Sequence, residues 1–488
     1  MDKIKHQLNL FIIPFSFETN GNFDKIVEKI DDMKMEKEVH QSNNRSVWLP
    51  IQHNSEDRFF GHINQLVPND GKVYESTIGK LWGLNQLAWD LYGLPKNKNN
   101  NVVLHTSKKK EIVLKITDVQ LYLFETGVGF LIYDIYYPSI SHMEDLVLAN
   151  YYVKRLKNFG GQMHLLKHAN DKSTYEMNSN FANITAGLLN PLVVTSYFEK
   201  DNLEPKNALV FNTSILDKSF SESDGYITKL QRFLFETRRV FKESYQPSQS
   251  EYDIEKNEEI YKPFNNSYWG IALEGACNIV LHTGDEITNN FFSESYIMNV
   301  KLNYFYMYII ALHQRYALLH LSVQAAEIPR DMDTLIESNS SIETITKLRE
   351  EIAYFDLRSS FLQVSHITHQ NKVYEYIYRV LHIGDLHRKL QSEVESIASL
   401  LDIRKAAVEK KSLERREERR RKNDNFYVTI TSIFVVISTL SSIWSLYTDW
   451  WNEESAPEAF VISSIAIVIA ALLGIKYKLS DKDEPQKE

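Results

Sequence analysis

A chain of 488 residues that is 43% apolar, with 27 Tyr and 25 Phe, has the material for a large packed core. A formal net charge of −9 argues against a basic nucleic-acid-binding surface, so no direct nucleic-acid partner is expected. One cysteine, Cys277, excludes an intrachain disulfide and a cysteine-built zinc site within one chain, and it fits a reducing compartment.

The charged start Met1–His6 and the short apolar run Leu8–Phe15 do not form a signal peptide, and the run reads as a first strand with Pro14 near its end. Residues 36–45 and 95–101 are polar, loop-like breaks. Residues 111–137 carry the clearest β signal: two runs rich in Val, Ile, Leu, Phe and Tyr flank Glu125-Thr126-Gly127-Val128-Gly129, predicting a hairpin whose glycines supply the turn. The spacing of Leu146, Leu148, Tyr151, Tyr152 and Leu156 predicts a helix over 143–158. A strand over 208–212, a helix over 225–241 and a strand pair around Gly275 follow. Strand pairs alternating with helices predict an α+β cytosolic domain over 1–291, with ferredoxin-like α/β layers.

From residue 292 to 424 helical periodicity dominates, which predicts a long-helix stalk. Residues 293–328 form an apolar helix interrupted by His313, Gln314, Arg315 and His320, and Pro329 ends it. Ser340 or Ser341 caps the next stretch. If helical to Lys422 it is about 120 Å long, with Gly384 as its weak point.

Two uncharged apolar segments follow within 425–479: Phe426–Tyr447, about 33 Å as a helix, and Ala459–Ile475, about 25 Å. Both lengths suit a bilayer crossing, so two transmembrane helices are expected. Arg415, Arg416, Arg419, Arg420, Arg421 and Lys422 precede the first, and Lys476 and Lys478 follow the second. The connecting loop holds Asp449, Glu453, Glu454 and Glu458 without Lys or Arg. Positive flanks stay cytoplasmic, so a multi-pass protein of the inner membrane is expected, with both termini and the tail 480–488 in the cytosol. Trp444, Tyr447, Trp450 and Trp451 suit the outer interface, Tyr427 and Tyr477 the inner one.

Thr431, Ser438, Ser442, Ser445 and Asp449 recur at spacings of seven, four, three and four, which puts them on one face of the first span. The face reads either as pore lining, with an acidic ring at its outer end, or as a helix-packing seam. Phe434 and Val435 are candidates for an apolar gate. The basic run 415–422 has three readings: topology determinant, site for anionic headgroups, or charged collar at a pore entrance.

No phosphate-binding glycine loop, nucleophile elbow or His-Glu-x-x-His motif is present, so no enzyme is expected. His164 with His168, and His366 with His369, have metal-compatible spacing if helical, though chance explains such pairs among fifteen histidines; the metal question stays open. Arg315 requires a partner in its apolar helix, either an acid such as Glu274 or an anionic ligand. Arg155, Arg238 and Arg239 are further candidates for ligand phosphates.

The long charged helix, the Phe426–Tyr447 span, the acidic loop, the second span and the basic tail together resemble the CorA superfamily of two-span divalent-cation transporters, over residues 295–488. The family's aromatic-Gly-Met-Asn signature at the outer mouth falls here on Tyr447-Thr448-Asp449-Trp450, which keeps the aromatic residue and lacks Gly, Met and Asn. Pro457-Glu458 is similar to the family's following Met-Pro-Glu. The larger first domain and the missing signature resemble the CorA-like membrane effectors associated with type III CRISPR systems. The resemblance implies a homo-oligomer, by analogy a pentamer. Its cytosolic domain would sense a small ligand such as a nucleotide second messenger, gating ion flux in antiviral defence. A housekeeping divalent-cation transporter and a membrane-anchored binding protein without a pore are the alternatives.

Overall fold

The computed structural model describes residues 2–19, 22–35, 46–51, 59–61, 63, 66, 78–95, 98–106, 110–159, 162–163, 165–168, 180–190, 192, 194–196, 207–241, 247–326, 339–450 and 465. The chain divides into two units, Met1–Ser396 and Ile397–Glu488.

The strands in chain order are β1 (Ile4–Phe17), β2 (Trp48–Pro50), β3 (Gly79–Leu84), β4 (Val102–His105), β5 (Glu111–Phe124), β6 (Val128–Tyr136), β7 (Asn158–Phe159), β8 (Gln162–Met163), β9 (Leu165–His168), β10 (Val194–Ser196), β11 (Leu209–Leu216), β12 (Ile260–Phe264), β13 (Ser267–Ala272) and β14 (Gly275–Val280). The helices are α1 (Phe23–Asp31), α2 (Met143–Val153), α3 (Phe181–Leu189), α4 (Lys218–Ser221), α5 (Tyr226–Arg238), α6 (Gln249–Tyr252), α7 (residues 286–326, with π-helical turns at Phe292–Tyr296 and Val300–Tyr304), α8 (Asn339–Arg358), α9 (Thr368–Val380) and α10 (Ile383–Trp450).

The first unit is built on a mixed sheet in the order β12-β13-β14-β11-β1-β6-β5-β3-β2, where β11 and β14 run parallel and the other neighbours antiparallel. β1 lies at its centre and is buried on both faces. Phe11, Ile13 and Phe15 enter a core shared with α1, α2, α3 and α5. Leu8, Leu10 and Ile12 enter a second core shared with α7, α8, α9 and the start of α10. Helices therefore cover both faces, where ferredoxin-like layering predicts them on one. The unbroken apolar run Leu10–Phe15 within β1 carries that information, because a strand covered on both sides loses its polar alternation. The hairpin forms at the predicted turn. Gly127 takes φ +76°, where a Cβ is strained, whereas Gly129 lies within β6 with its missing Cβ leaving room for the Phe15 ring.

The predicted stalk is divided. Residues 292–396 belong to the first unit, so the change of periodicity at residue 292 marks a second helical layer rather than a departure from the sheet. Nor is 341–422 one helix. It breaks after Arg358 and again after Val380, where His382 takes φ +53°, two residues before Gly384. In the second unit, α10 continues to Trp450.

Candidate ligand cleft and membrane-spanning helix

Burial at the end of the second helical layer creates a cleft of about 760 Å³. That volume falls in the range typical of small-molecule sites. The turn before β12 supplies Glu255, Lys256 and Glu258, β12 supplies Tyr261, α9 supplies Lys372, Glu375, Tyr376 and Arg379, and the α9–α10 junction supplies His382, Gly384 and Asp385. The rings of Tyr261 and Tyr376 stack with centroids 5.2 Å apart and planes 25° apart, and the Arg379 guanidinium carbon sits 5.0 Å from the Tyr376 centroid. The Tyr376 hydroxyl donates to the Glu258 carbonyl, and burial pushes its pKa up, keeping the phenol protonated. Aromatic faces beside both cations and carboxylates suit a small polar molecule with a planar ring.

The junction is tied to the sheet through three consecutive residues of α7. His313 stacks on Phe124, with centroids 4.0 Å apart, and its Nε2 lies 2.9 Å from the Thr126 hydroxyl in the hairpin turn. Burial pushes its pKa down to about 3, so it is neutral at pH 7. Gln314 accepts from the Tyr374 hydroxyl at 2.9 Å and donates to the Ser359 carbonyl. Arg315 donates to the Leu381 carbonyl at the end of α9. Three of the four residues that interrupt the apolar pattern are thus hydrogen-bonded into the fold, while His320 lies half-buried beside Gln324 of its own helix. Arg315 finds a helix-end carbonyl, while Glu274, its expected partner, pairs with Arg239.

Arg238 is fully buried and donates to Glu251 and Glu259 at 2.9 Å each, and Arg239 contacts Glu251, Glu259 and Glu274. These carboxylates occupy the guanidiniums proposed from sequence for ligand phosphates. The Arg155 guanidinium lies 3.9 Å from the Tyr151 ring centroid. Beside it, Lys154 donates to the Val240 carbonyl at 2.6 Å, and burial together with Arg155 pushes its pKa down to about 8. None of the four arginines lines the cleft, whereas Arg379, Tyr376 and Tyr261 do. The sequence holds no motif for them, because the cleft joins two stretches more than a hundred residues apart, 255–261 and 362–385.

Among the described residues no group of three or more His, Cys, Asp or Glu is placed to hold a metal ion. His366 packs on Phe60 and His369 on Phe264. His168 lies on a strand, and His164 is outside the described residues.

Among the described residues one helix, α10, is long and apolar enough to cross a bilayer. Its best window has a mean hydropathy of 1.9 and no buried residue. Thr431, Ser438 and Ser442 share a face, and their hydroxyls donate to the carbonyls of Tyr427 (2.8 Å), Val435 (2.9 Å) and Ser438 (2.9 Å). Phe434 and Val435 flank that face, both exposed. Ser445, Tyr447, Thr448 and Asp449 continue the helix, but their side chains lie outside the described residues, as do the connecting loop, all of the second span except Ile465, and the tail. No protein-family model matches the chain, and no curated protein matches it.

Proposed function

We propose that this chain is a ligand-responsive, CorA-like membrane channel. It assembles as a homo-oligomer, by resemblance a pentamer, and works as a type III CRISPR-associated antiviral effector. The observation that carries the reading is the start of α10 at the rim of the cleft: His382, Gly384 and Asp385 line the cleft, and from Ile383 the helix runs unbroken to Trp450. A molecule seated between Tyr376, Arg379 and that first turn biases the junction at His382, whose left-handed backbone is an unfavourable conformation for a residue with a Cβ. The ligand is a small, ring-containing polar molecule of the nucleotide type, bound without catalysis. The exposed apolar surface of Phe426, Ile433, Phe434, Val435 and Ile437 needs lipid or copies of the same helix around it.

In this reading Thr431, Ser438, Ser442, Ser445 and Asp449 line the pore, Tyr447, Thr448 and Asp449 form its outer mouth, and Phe434 or Val435 closes it. The second span completes a multi-pass topology with both termini in the cytosol of an inner membrane. A membrane-anchored binding protein without a pore is the second reading. It is favoured by the seam hydroxyls, which already satisfy themselves within the helix and so do not require water.

Native mass spectrometry of the detergent-solubilised full chain separates the two. The channel reading expects a closed oligomer, five times the 57.0 kDa chain, with small-molecule mass retained. A monomer or dimer contradicts it.

A further inference from the structure

The phase of α10 sorts the basic run that leads into the span. Lys411, Arg415, Arg419 and Lys422 follow one another at spacings of four, four and three, so they form one stripe along the helix, and all four are exposed. Continued downstream, the stripe becomes Phe426, Ile433, Ile437 and Trp444, a predominantly apolar face whose one hydroxyl, on Thr429, is bonded to the Asn425 carbonyl. The Thr431–Ser438–Ser442 face lies about 140° round the helix. Arg420 is on that second face, three turns before Thr431, with Arg416 one turn earlier.

We infer that Arg419 and Lys422 bind the anionic headgroups of the inner leaflet, on the side of the helix that meets lipid. The distances select these two. Measured from Phe426 along the axis, Lys422 stands about 6 Å and Arg419 about 10 Å before the apolar segment, Arg415 about 16 Å and Lys411 about 22 Å. The headgroup layer is about 5–8 Å thick on each side of the hydrocarbon. Lys422 falls within that layer and Arg419 stands within the reach of a long side chain from its edge, so both meet headgroup phosphates. Arg415 and Lys411 stand more than a Debye length of about 8 Å from the lipid boundary. Their face continues as the apolar one, not as the hydroxyl one, which separates headgroup binding from a collar around a pore. The inference rests on the reading in which the hydroxyl face is turned away from lipid, because Arg420, about 9 Å before Phe426, would otherwise reach headgroups as well.

The test reconstitutes the full chain in bilayers of phosphatidylcholine with one quarter phosphatidylglycerol, and measures by spin-label spectroscopy how strongly labelled lipids of each kind associate with the protein. The expected result is a preference for the acidic lipid on the order of threefold, lost at 1 M salt. Arg419→Gln with Lys422→Gln brings it to about one, and the other-face pair Arg416→Gln with Arg420→Gln keeps most of it. Absence of any preference in the unaltered chain overturns the inference, as does its survival in the first pair or an equal loss in both.

Discussion

His313 provides a pH dependence whose size follows from its burial. Its side chain is fully enclosed between Phe124 and Thr126, and its pKa is about 3 against 6.5 for an open histidine. The folded protein therefore binds fewer protons than the unfolded chain between those values. This contribution to stability is present above pH 6.5 and is lost as pH falls towards 3. Between pH 7 and pH 4.5 the loss is about 2–3 kcal/mol, since each pH unit below 6.5 costs close to 1.4 kcal/mol. A unit of 396 residues has an unfolding entropy near 0.8 kcal/mol/K, so the melting temperature falls by about 3 °C from this group alone. His313→Gln can still hydrogen-bond the Thr126 hydroxyl but takes up no proton. Melting of the solubilised full chain, followed by tryptophan fluorescence at both pH values, should drop about 3 °C less in this variant than in the parent. Equal drops in the two proteins would refute a buried neutral imidazole at this position.

Two further substitutions probe the first unit. Lys301 on α7 pairs with Asp134 on β6, and the lysine pKa is raised despite its burial because Asp134 and Asp118 hold its charge. Lys301→Met strands a nearly buried carboxylate and should cost about 2 kcal/mol, read as a lower denaturant midpoint, and Asp134→Asn added to it should recover most of the loss; no recovery would count against the pairing. In the cleft, Arg379→Ala and Tyr261→Ala each remove one side of the proposed ligand cradle. Each should reduce the small-molecule mass retained in native mass spectrometry at least about tenfold while leaving the oligomer intact. Unchanged retention would put the ligand elsewhere.

The parts legible in the sequence were those carried by local pattern. The hairpin over residues 111–137, the α2 and α5 helices and the apolar Phe426–Tyr447 segment needed only periodicity and turn residues. The second helical layer was misread as a stalk because periodicity does not say what a helix packs against: Leu348, Ile352, Val373 and Ile377 all enter the sheet's second core. The break at Leu381–His382 was signalled only by the weak point at Gly384 two residues on, because the bond from Arg315 to the Leu381 carbonyl that fixes the end of α9 comes from 66 positions away. The arginines singled out by charge proved to be ion-paired, stacked or bonded to a helix end, since burial demands a partner for each charge and the fold supplies one. The cleft residues carried no signal, because a tyrosine pair formed between β12 and α9 exists only once the layers have packed.

The central claim is that the hydroxyl face of the first span meets water. It is tested most directly by substituting cysteine at Thr431, Ser438 and Ser442, and separately at Ile433 and Ile437, then measuring the reaction rate with a charged, membrane-impermeant thiol reagent in reconstituted vesicles. The native Cys277 is buried, and burial pushes its pKa up to about 12, which keeps the background low. The account predicts that Thr431→Cys, Ser438→Cys and Ser442→Cys react at least about tenfold faster than Ile433→Cys and Ile437→Cys, with ion flux blocked as they are labelled. Equal, slow labelling at all five positions would contradict it and leave a membrane-anchored binding protein.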